Sequence, residues 1–290
     1  MPAGPEPLIA VLGSINLDLT VEVETLPRPG QTVLAHRVVR GLGGKGANQA
    51  AAAAQLLGRS RMIGAVGDDA DGIWLREQLE GFGVDVSAVE FDDVLPSGMA
   101  LIGVDRVGEN SIIVVPGANA HAAASPTTLG DADALMLQFE IPIEEVVSAA
   151  EQFEGFVAVN PSPSQRIPES LLKRADLFVV NAEEYRDMPE LADAALVAVT
   201  LGAQGAELWE RGRKTEALEA FPVSRVVSTV GAGDAFFAAL TCALARAVPR
   251  RAALEIACRV AAVAVEDPCS QPRLDKLECY LERRASSPRR

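Results

Sequence analysis

Aromatic residues and histidines are scarce in this chain of 290 residues. Phe, Trp and Tyr make up 4% of the sequence, and only two histidines occur. A platform that stacks nucleobases needs several aromatic side chains, so none is expected. The four cysteines form no CxxC pair, and with so few histidines a structural zinc site is not expected either. This cysteine pattern is typical of reduced thiols in a cytoplasm.

Basic residues are outnumbered by acidic ones, 26 against 40, which gives a net charge of −14. A field of this sign repels nucleic-acid phosphates and anionic lipid head groups, so a phosphate ligand would need a local, shielded cradle. No apolar run approaches the roughly 18 residues that a membrane helix needs. The first residues, MPAGPEP, lack the features of a secretory signal. We therefore expect a cytoplasmic protein with neither nucleic-acid nor membrane partners.

Short apolar runs alternate with helical segments along most of the chain. The run at residues 8–12 stops at a glycine, which predicts a strand buried on both faces. Alternation of strands and helices predicts an α/β fold with a doubly wound, mainly parallel sheet flanked by helices. The further strands of this sheet are predicted at 61–66, 134–138, 156–159, 177–180, 196–200, 206–210 and 225–227. The helices are predicted at 45–57, 143–152, 169–174, 232–246, 251–265 and 274–283.

Four other segments predict a small β subdomain. Residues 19–23 and 33–39 alternate apolar and polar side chains around a Pro- and Gly-rich turn, which indicates an exposed hairpin. Residues 99–104 and 111–115 flank another turn-rich stretch. Since no linker divides the chain, we expect a single domain over residues 1–290. Its small sheet would be inserted as segments at about 17–41 and 98–116.

A glycine-rich turn, GLGGKG, occupies residues 41–46 and matches the pattern GxGxxG. In dinucleotide-binding proteins this pattern follows the first strand directly and is succeeded by an acidic residue about 20 positions later. Here the first predicted strand ends near Gly13 and a hairpin intervenes, so NAD binding is disfavoured. Lys45 is followed by glycine, so the turn is no P-loop either. On these residues alone, a tight turn without a ligand is the favoured interpretation.

A second small-residue turn, STVGAGD at residues 228–234, opens an apolar helix. Free backbone N–H groups from Gly231 onward would form an anion hole suited to phosphate oxygens. Asp234 has two possible uses. It is either the N-cap of the helix or a general base for a hydroxyl that attacks a phosphoryl group.

Five segments, in this order, resemble the PfkB family of sugar and nucleoside kinases and, within it, the ribokinase-like members. They are GSINLD at 13–18, GGKGAN at 43–48, Asn181 with Glu184, TLG at 200–202 with Gly205, and GAGD at 231–234. The resemblance extends from about residue 8 to the final helix. It implies a ribokinase-like fold whose small sheet is a lid, with ATP and Mg²⁺ as cofactors. The implied reaction is phosphorylation of the primary hydroxyl of a small sugar, D-ribose to ribose 5-phosphate.

The resemblance also implies roles for individual residues. The sugar hydroxyls would be held by Asn16, Asp18, Gly44, Lys45, Asn48 and Glu140. Asp234 would be the catalytic base, beside an anion hole of Gly231, Ala232 and Gly233. Asn181 and Glu184 would lie near the phosphates, Glu184 holding Mg²⁺ through water, and Thr200, Gly202 and Gly205 would line the ATP site. Taken singly, Asp18 and Glu140 would more often be solvated or capping carboxylates. The implied assembly is a homodimer formed through the lids.

Two segments depart from the family pattern. Ser228 stands where relatives usually carry an aspartate that helps bind an activating monovalent cation, and DPCSQ at 267–271 lacks the usual glycine. We therefore expect weak or absent K⁺ stimulation. The short stretch at 181–200 predicts a trimmed helix beside the adenine pocket, which leaves the nucleotide preference open.

Other functions remain open on the sequence. The acceptor could instead be a nucleoside, fructose or a keto-deoxy sugar acid. Ser228 and the shortened segment also allow a catalytically weak, sugar-binding regulatory protein, although the retained Asp234 argues against it. A dehydrogenase is the least favoured function, because the glycines are misplaced for it.

Overall fold

Thirteen strands lie in two sheets in the computed structural model, which describes residues 6–285. In chain order they are β1 (Ile9–Leu12), β2 (Asn16–Val23), β3 (Ala35–Gly43), β4 (Ser60–Gly67), β5 (Asp85–Asp92), β6 (Gly98–Val104), β7 (Asn110–Val115), β8 (Ala134–Gln138), β9 (Phe156–Asn160), β10 (Leu177–Asn181), β11 (Val197–Thr200), β12 (Ala206–Glu210) and β13 (Arg213–Leu218).

Helices connect most of the strands of the larger sheet and cover its faces. They are α1 (Lys45–Leu57), α2 (Ala70–Gly81), α3 (Pro126–Leu129), α4 (Ile143–Gln152), α5 (Glu169–Arg174), α6 (Ala182–Asp187), α7 (Ala232–Ala245), α8 (Arg250–Ala264) and α9 (Leu277–Ala285). Short 3₁₀ turns occupy Gly117–His121, Pro189–Asp193 and Gly202–Gln204. None of the helices in the described part of the chain is long and apolar enough to cross a membrane.

The larger sheet has nine strands in the order β13-β12-β11-β10-β9-β8-β1-β4-β5. All neighbouring strands from β11 to β5 pair in parallel. The pairs β11–β12 and β12–β13 are antiparallel. Ile9 and Val11 of β1 join a core cluster with α1, α7 and α8, whereas Ala10 and Leu12 join a second cluster with α4 and α5. This confirms the predicted doubly wound sheet and the strand buried on both faces.

The smaller sheet has the order β3-β2-β6-β7. The pairs β2–β3 and β6–β7 are antiparallel, while β2 and β6 run parallel. The four segments predicted to lie together therefore form one sheet, and the predicted hairpin of residues 19–23 and 33–39 is confirmed. Every residue of β7 is exposed. The lid function of this sheet stays a prediction.

The prediction of a strand at 225–227 is wrong. This segment is irregular, and Val227 and Ser228 donate their N–H groups to the carbonyl of Val265, at 2.8 and 3.2 Å. The place beside β12 is taken by β13, which the sequence analysis did not predict. Only the short α6 and one 3₁₀ turn fit between β10 and β11, as expected for the short segment at 181–200.

Candidate active site

The candidate site lies at the carboxyl ends of the central parallel strands, where α/β proteins place their ligands. Asn160, Asn181 and Thr200 end β9, β10 and β11, and all three line a cavity of about 220 Å³. Lys45, at the start of α1, and Asp234, in the first turn of α7, line the same cavity. The topology thus gathers residues from widely separated segments around one space.

Glycines allow α1 to begin against the loop that follows β1. Gly44 precedes the helix with φ of 88°, and a Cβ atom there would lie 2.7 Å from the carbonyl oxygen of Ser14. A Cβ atom on Gly43 would lie 2.0 Å from Oδ1 of Asp18. The turn therefore needs glycine for its backbone conformation and for the space that Asp18 occupies.

Glu140 is bound to both sides of this turn. Its Oε2 accepts hydrogen bonds from the backbone N–H of Lys45, at 3.0 Å, and from the hydroxyl of Ser14, at 2.5 Å. This places an acceptor-only carboxylate at the N-terminus of α1, where negative charge is favoured. Oε1 of the same carboxylate takes part in neither of these two bonds.

Asn16 is held by a residue that the sequence analysis missed. Asn119 is buried in the 3₁₀ turn after β7, and its Nδ2 donates to Oδ1 of Asn16 at 2.7 Å. Oδ1 of Asn119 accepts from the N–H of Ile15 at 2.8 Å. No local pattern marks Asn119, because its partners are about a hundred residues away in the chain.

The charged groups of the site perturb one another. Burial, together with the negative charges of Glu140 and Asp234, raises the pKa of Asp18 from 3.8 to about 7. Burial lowers the pKa of Lys45, but the charges of Asp234, Glu140 and Glu184 outweigh it and raise this pKa above its ordinary value. Lys45 is therefore a permanent positive charge near three carboxyl groups.

Asp234 is buried, with 8% of its surface exposed. Its Oδ2 accepts from Nδ2 of Asn48 at 2.9 Å, and its Oδ1 accepts from Nε2 of Gln49 at 2.8 Å. The N-cap of α7 is Gly231, without a side-chain cap. The interpretation of Asp234 as an N-cap is therefore wrong, since its carboxylate reaches across to α1.

The turn that opens α7 is built around Gly231. Its φ is 78°, and a Cβ atom there would lie 2.1 Å from the carbonyl oxygen of Ser270, so only glycine fits. A Cβ on Gly233 would have no atom within 4 Å, because this residue faces open space. The first N–H groups of a helix have no partner within the helix and favour anions. Gly231 and Gly233 line the 220 Å³ cavity, so this turn can hold a phosphate group there.

Asn181 and Glu184 form a capping box at α6 and also line the cavity. Oδ1 of Asn181 accepts from the N–H groups of Glu183 and Glu184, both at 2.9 Å, and Oε2 of Glu184 accepts from the N–H of Asn181 at 2.8 Å. Within residues 6–285, no three His, Cys, Asp or Glu side chains converge to ligate a metal directly. Mg²⁺ in proteins keeps several of its waters and needs few direct protein ligands. The carboxylate of Glu184, which bonds Asn181 through Oε2, therefore suits this ion.

A larger cavity of about 570 Å³ adjoins the first, and Thr200, Thr229 and Gly233 line both. Gly202 and Gly205, which were predicted for the ATP site, line it as well. The remaining wall is mostly apolar and comes from residues 220–226 and from α7 and α8. The cavity suits a flat, largely apolar ring system attached to a phosphate chain in the smaller cavity.

Two further residues line the smaller cavity, whereas Ser228 does not. Asn160 and Thr229 were missed by the sequence analysis, although Asn160 ends a parallel strand, which is the signal that could have found it. Ser228 is not among the residues that line these two cavities. Its hydroxyl instead accepts from the N–H of Val230, at 3.2 Å.

Comparisons with known proteins agree on one family. The model of the pfkB family carbohydrate kinases matches residues 6–277. A ribokinase from Bacillus subtilis is 35% identical over 273 residues, which cover 89% of this chain and 92% of its own length. A deoxyribokinase from Salmonella typhimurium is 32% identical over 300 residues, covering 94% and 97%. The structure of Arabidopsis thaliana ribokinase complexed with ribose and ATP superposes with a TM-score of 0.87 at 30% identity, covering 95% and 98%.

Proposed function

Because the chain belongs to the pfkB family of carbohydrate kinases, and is thus a sugar kinase, we propose that it transfers the γ-phosphoryl group of ATP to the primary hydroxyl of D-ribose. The products would be ribose 5-phosphate and ADP. The observation that carries the proposal is the place of Asp234. This buried carboxylate lies in the first turn of α7, bonds Asn48, one of the candidate sugar residues, and lines the 220 Å³ cavity.

Asp234 would act as the general base. As the hydroxyl oxygen attacks the γ-phosphorus in line, its proton passes to Asp234, and the bond from phosphorus to the bridging oxygen of ADP breaks. The N–H groups of the turn formed by Gly231, Ala232 and Gly233 would stabilise the transferred charge. Lys45, which lines the same cavity, adds a positive charge for the phosphate oxygens.

The sugar would be held by hydrogen bonds from fixed polar groups. Asp18 and Glu140 accept from hydroxyls, and the amides of Asn16 and Asn48 offer both donors and acceptors. These groups are already positioned by other residues, such as Asn119 for Asn16. A hydroxyl left unpaired in a closed site would cost affinity, so the set favours a small polyol. Gly44 and Lys45 complete the proposed sugar site.

ATP would occupy the two adjoining cavities, with its base in the larger one, near Gly202 and Gly205, and its phosphates near Thr200 and Asn181. Glu184 would hold Mg²⁺ through water. The ion, when bound, neutralises charge on the phosphate oxygens. The absence of an aspartate at Ser228 supports weak K⁺ stimulation.

We further infer that the smaller sheet closes over the sugar as a lid and excludes water, which would otherwise compete as the acceptor. The fully exposed β7, with Ile112 and Ile113 uncovered, supports a homodimer formed through this sheet. A cytoplasmic location stays a prediction from the sequence.

The second candidate acceptor is 2-deoxyribose, because a deoxyribokinase shares 32% identity along nearly its whole length with this chain. Both sugars carry the primary hydroxyl that Asp234 would deprotonate. They differ in the 2-hydroxyl, which ribose carries and 2-deoxyribose lacks. The residues around Asp18 would contact this hydroxyl when ribose is bound.

The experiment that tests the proposal measures ADP release from ATP and Mg²⁺ with one acceptor at a time. The panel contains ribose, 2-deoxyribose, fructose, adenosine and keto-deoxygluconate. The same mixture without any acceptor is the control. The proposal expects the highest kcat/KM with ribose. A higher kcat/KM with another acceptor would make that compound the proposed substrate instead of ribose. Ribose binding without turnover on any acceptor would favour the regulatory alternative.

A further inference from the structure

Two glutamine side chains link the candidate base to the centre of the larger sheet. Gln49 of α1 and Gln138 at the end of β8 both have 0% exposure. Nε2 of Gln49 donates to Oδ1 of Asp234 at 2.8 Å, and Nε2 of Gln138 donates to Oε1 of Gln49 at 2.6 Å. Three elements thus meet in one buried chain of hydrogen bonds.

The chemistry of the groups determines the direction of this chain. An ionised carboxylate only accepts hydrogen bonds, so Gln49 must turn its amino group toward Asp234. Its carbonyl oxygen then needs a donor, and Gln138 supplies one. With either amide rotated by half a turn, two acceptors or two donors would face each other.

Stability alone does not account for Gln138. Its Oε1 is buried and accepts no hydrogen bond from the described residues, which is costly. A Cβ atom at Gly13 would lie 1.8 Å from this oxygen, so the first glycine of the 13–18 segment makes room for the amide. An apolar side chain of the same size would avoid the unpaired oxygen.

We propose that Gln49 and Gln138 are positioning residues for the phosphoryl transfer, an inference that rests on the proposed function. Gln49 fixes the orientation of the Asp234 carboxylate. Gln138 acts through Gln49 by holding its amide in the donating direction. Asn48 holds the other oxygen, so the remaining lone pairs of Asp234 are available to a hydroxyl proton.

Charged groups lie near Asp234, and its negative charge raises the pKa of both Asp18 and Lys45. Each oxygen of its carboxylate accepts one side-chain hydrogen bond, Oδ2 from Asn48 and Oδ1 from Gln49. Gln49 is therefore the side chain that orients Oδ1 among these charges.

The test compares Gln49→Met and Gln138→Met with the matched control Gln55→Met. Gln55 lies on the same helix and bonds at both ends of its amide, to the carbonyl of Pro272 and the N–H of Leu274, away from Asp234. Gln49→Met should lower kcat at pH 7 about 10-fold, and the acidic limb of its pH profile should move up by about one pH unit, as expected for the loss of a hydrogen bond to a charged group. The KM for ribose should change little, and Gln55→Met should keep the wild-type profile.

Gln138→Met should change kcat and the pH profile in the same direction and less strongly. Because Gln138 acts through Gln49, the double variant should be no slower than Gln49→Met alone. Melting temperatures of all variants identify losses of activity that come from unfolding. If Gln49→Met fails to fold, Gln138→Met still tests the proposal, because Gln138 does not contact Asp234.

Three outcomes would overturn the inference: additive losses in the double variant, an unmoved pH profile in both single variants, or the same kinetic effect in Gln55→Met. Each of these requires an active wild-type enzyme. An inactive wild type on the whole acceptor panel would instead refute the proposed function, so the two failures are distinguishable.

Discussion

Replacing Asp18 by asparagine should stabilise the protein and weaken sugar binding. The pKa of this carboxyl is raised from 3.8 to about 7 because burial, Glu140 and Asp234 disfavour its charge. Asparagine has nearly the same shape and no charge, so the variant avoids the cost of an ionised group at this place. The sugar would lose a hydrogen bond to a charged acceptor, which corresponds to about 10- to 100-fold in affinity.

The gain in stability depends on pH. Below about pH 4, Asp18 is protonated in the folded and the unfolded chain, so wild type and variant should be equally stable. Between about pH 4 and pH 7 the unfolded chain releases the proton while the folded chain keeps it, so the free energy of unfolding of the wild type falls as the pH rises. At 1.36 kcal/mol per pKa unit this fall amounts to about 4 kcal/mol above pH 7, and solvent screening of a half-buried group reduces it to about 2 kcal/mol.

Urea and thermal unfolding without sugar or nucleotide, at about pH 5 and about pH 8.5, would measure this gain. At the higher pH, Asp18→Asn should be more stable by about 2 kcal/mol, or about 3 °C in Tm for a chain of this length, and at the lower pH by less than half as much. The exposed Asp93 provides the control, since Asp93→Asn should change little at either pH. A gain that does not vary with pH, or a variant less stable at the higher pH, would refute the reasoning.

Three other outcomes are expected. Asp234→Asn should lower kcat by about 10²- to 10⁴-fold while ribose still binds in a calorimetric titration, because the shape remains and the proton acceptor is lost; unchanged turnover would contradict the role of base. Exchanging a bulky organic cation for K⁺ should change the turnover little, since Ser228 carries no charge; a large increase would count against this. GTP should replace ATP with less than about 100-fold loss in kcat/KM. Among the described residues that line the larger cavity, only Thr200 and Thr229 carry a hydroxyl, and none has a charged or amide side chain. A greater loss would show that the backbone selects adenine.

The outcome at residues 225–227 shows where prediction from local pattern ends. These residues look like a strand, but a strand also needs a free neighbour to pair with, and β13 already occupies the edge beside β12. The segment bonds instead to the end of α8 through the carbonyl of Val265. Availability of a partner is a property of the whole fold, so no window of the sequence contains it.

In the candidate site, too, local sequence predicted some features and the packing of helices decided others. The turn at 228–234 was sufficient to predict an anion hole and to single out Asp234, because glycine conformation and helix ends depend on adjacent residues. Whether Asp234 capped its helix or served as a base was undecidable from that segment. The crossing of α7 and α1 excludes the cap, by placing Asn48 and Gln49 against the carboxylate from 186 and 185 residues away. The role of base stays a proposal.

By itself, the sequence determined the period of most strands and helices, though not of α2, β5 or β13. It also determined the glycines at the two turns and the order of segments that matches a family of sugar kinases. These are consequences of backbone conformation and of apolar spacing, which act over a few residues. Only the tertiary structure decided which polar groups touch. Asn119 and Thr229 carry no local signal, and the end of β8 does not reveal what Gln138 touches. These residues meet their partners because packing of the sheet and helices brings distant segments together. The raised pKa of Asp18 has the same origin, since it depends on burial and on charges that folding brings together.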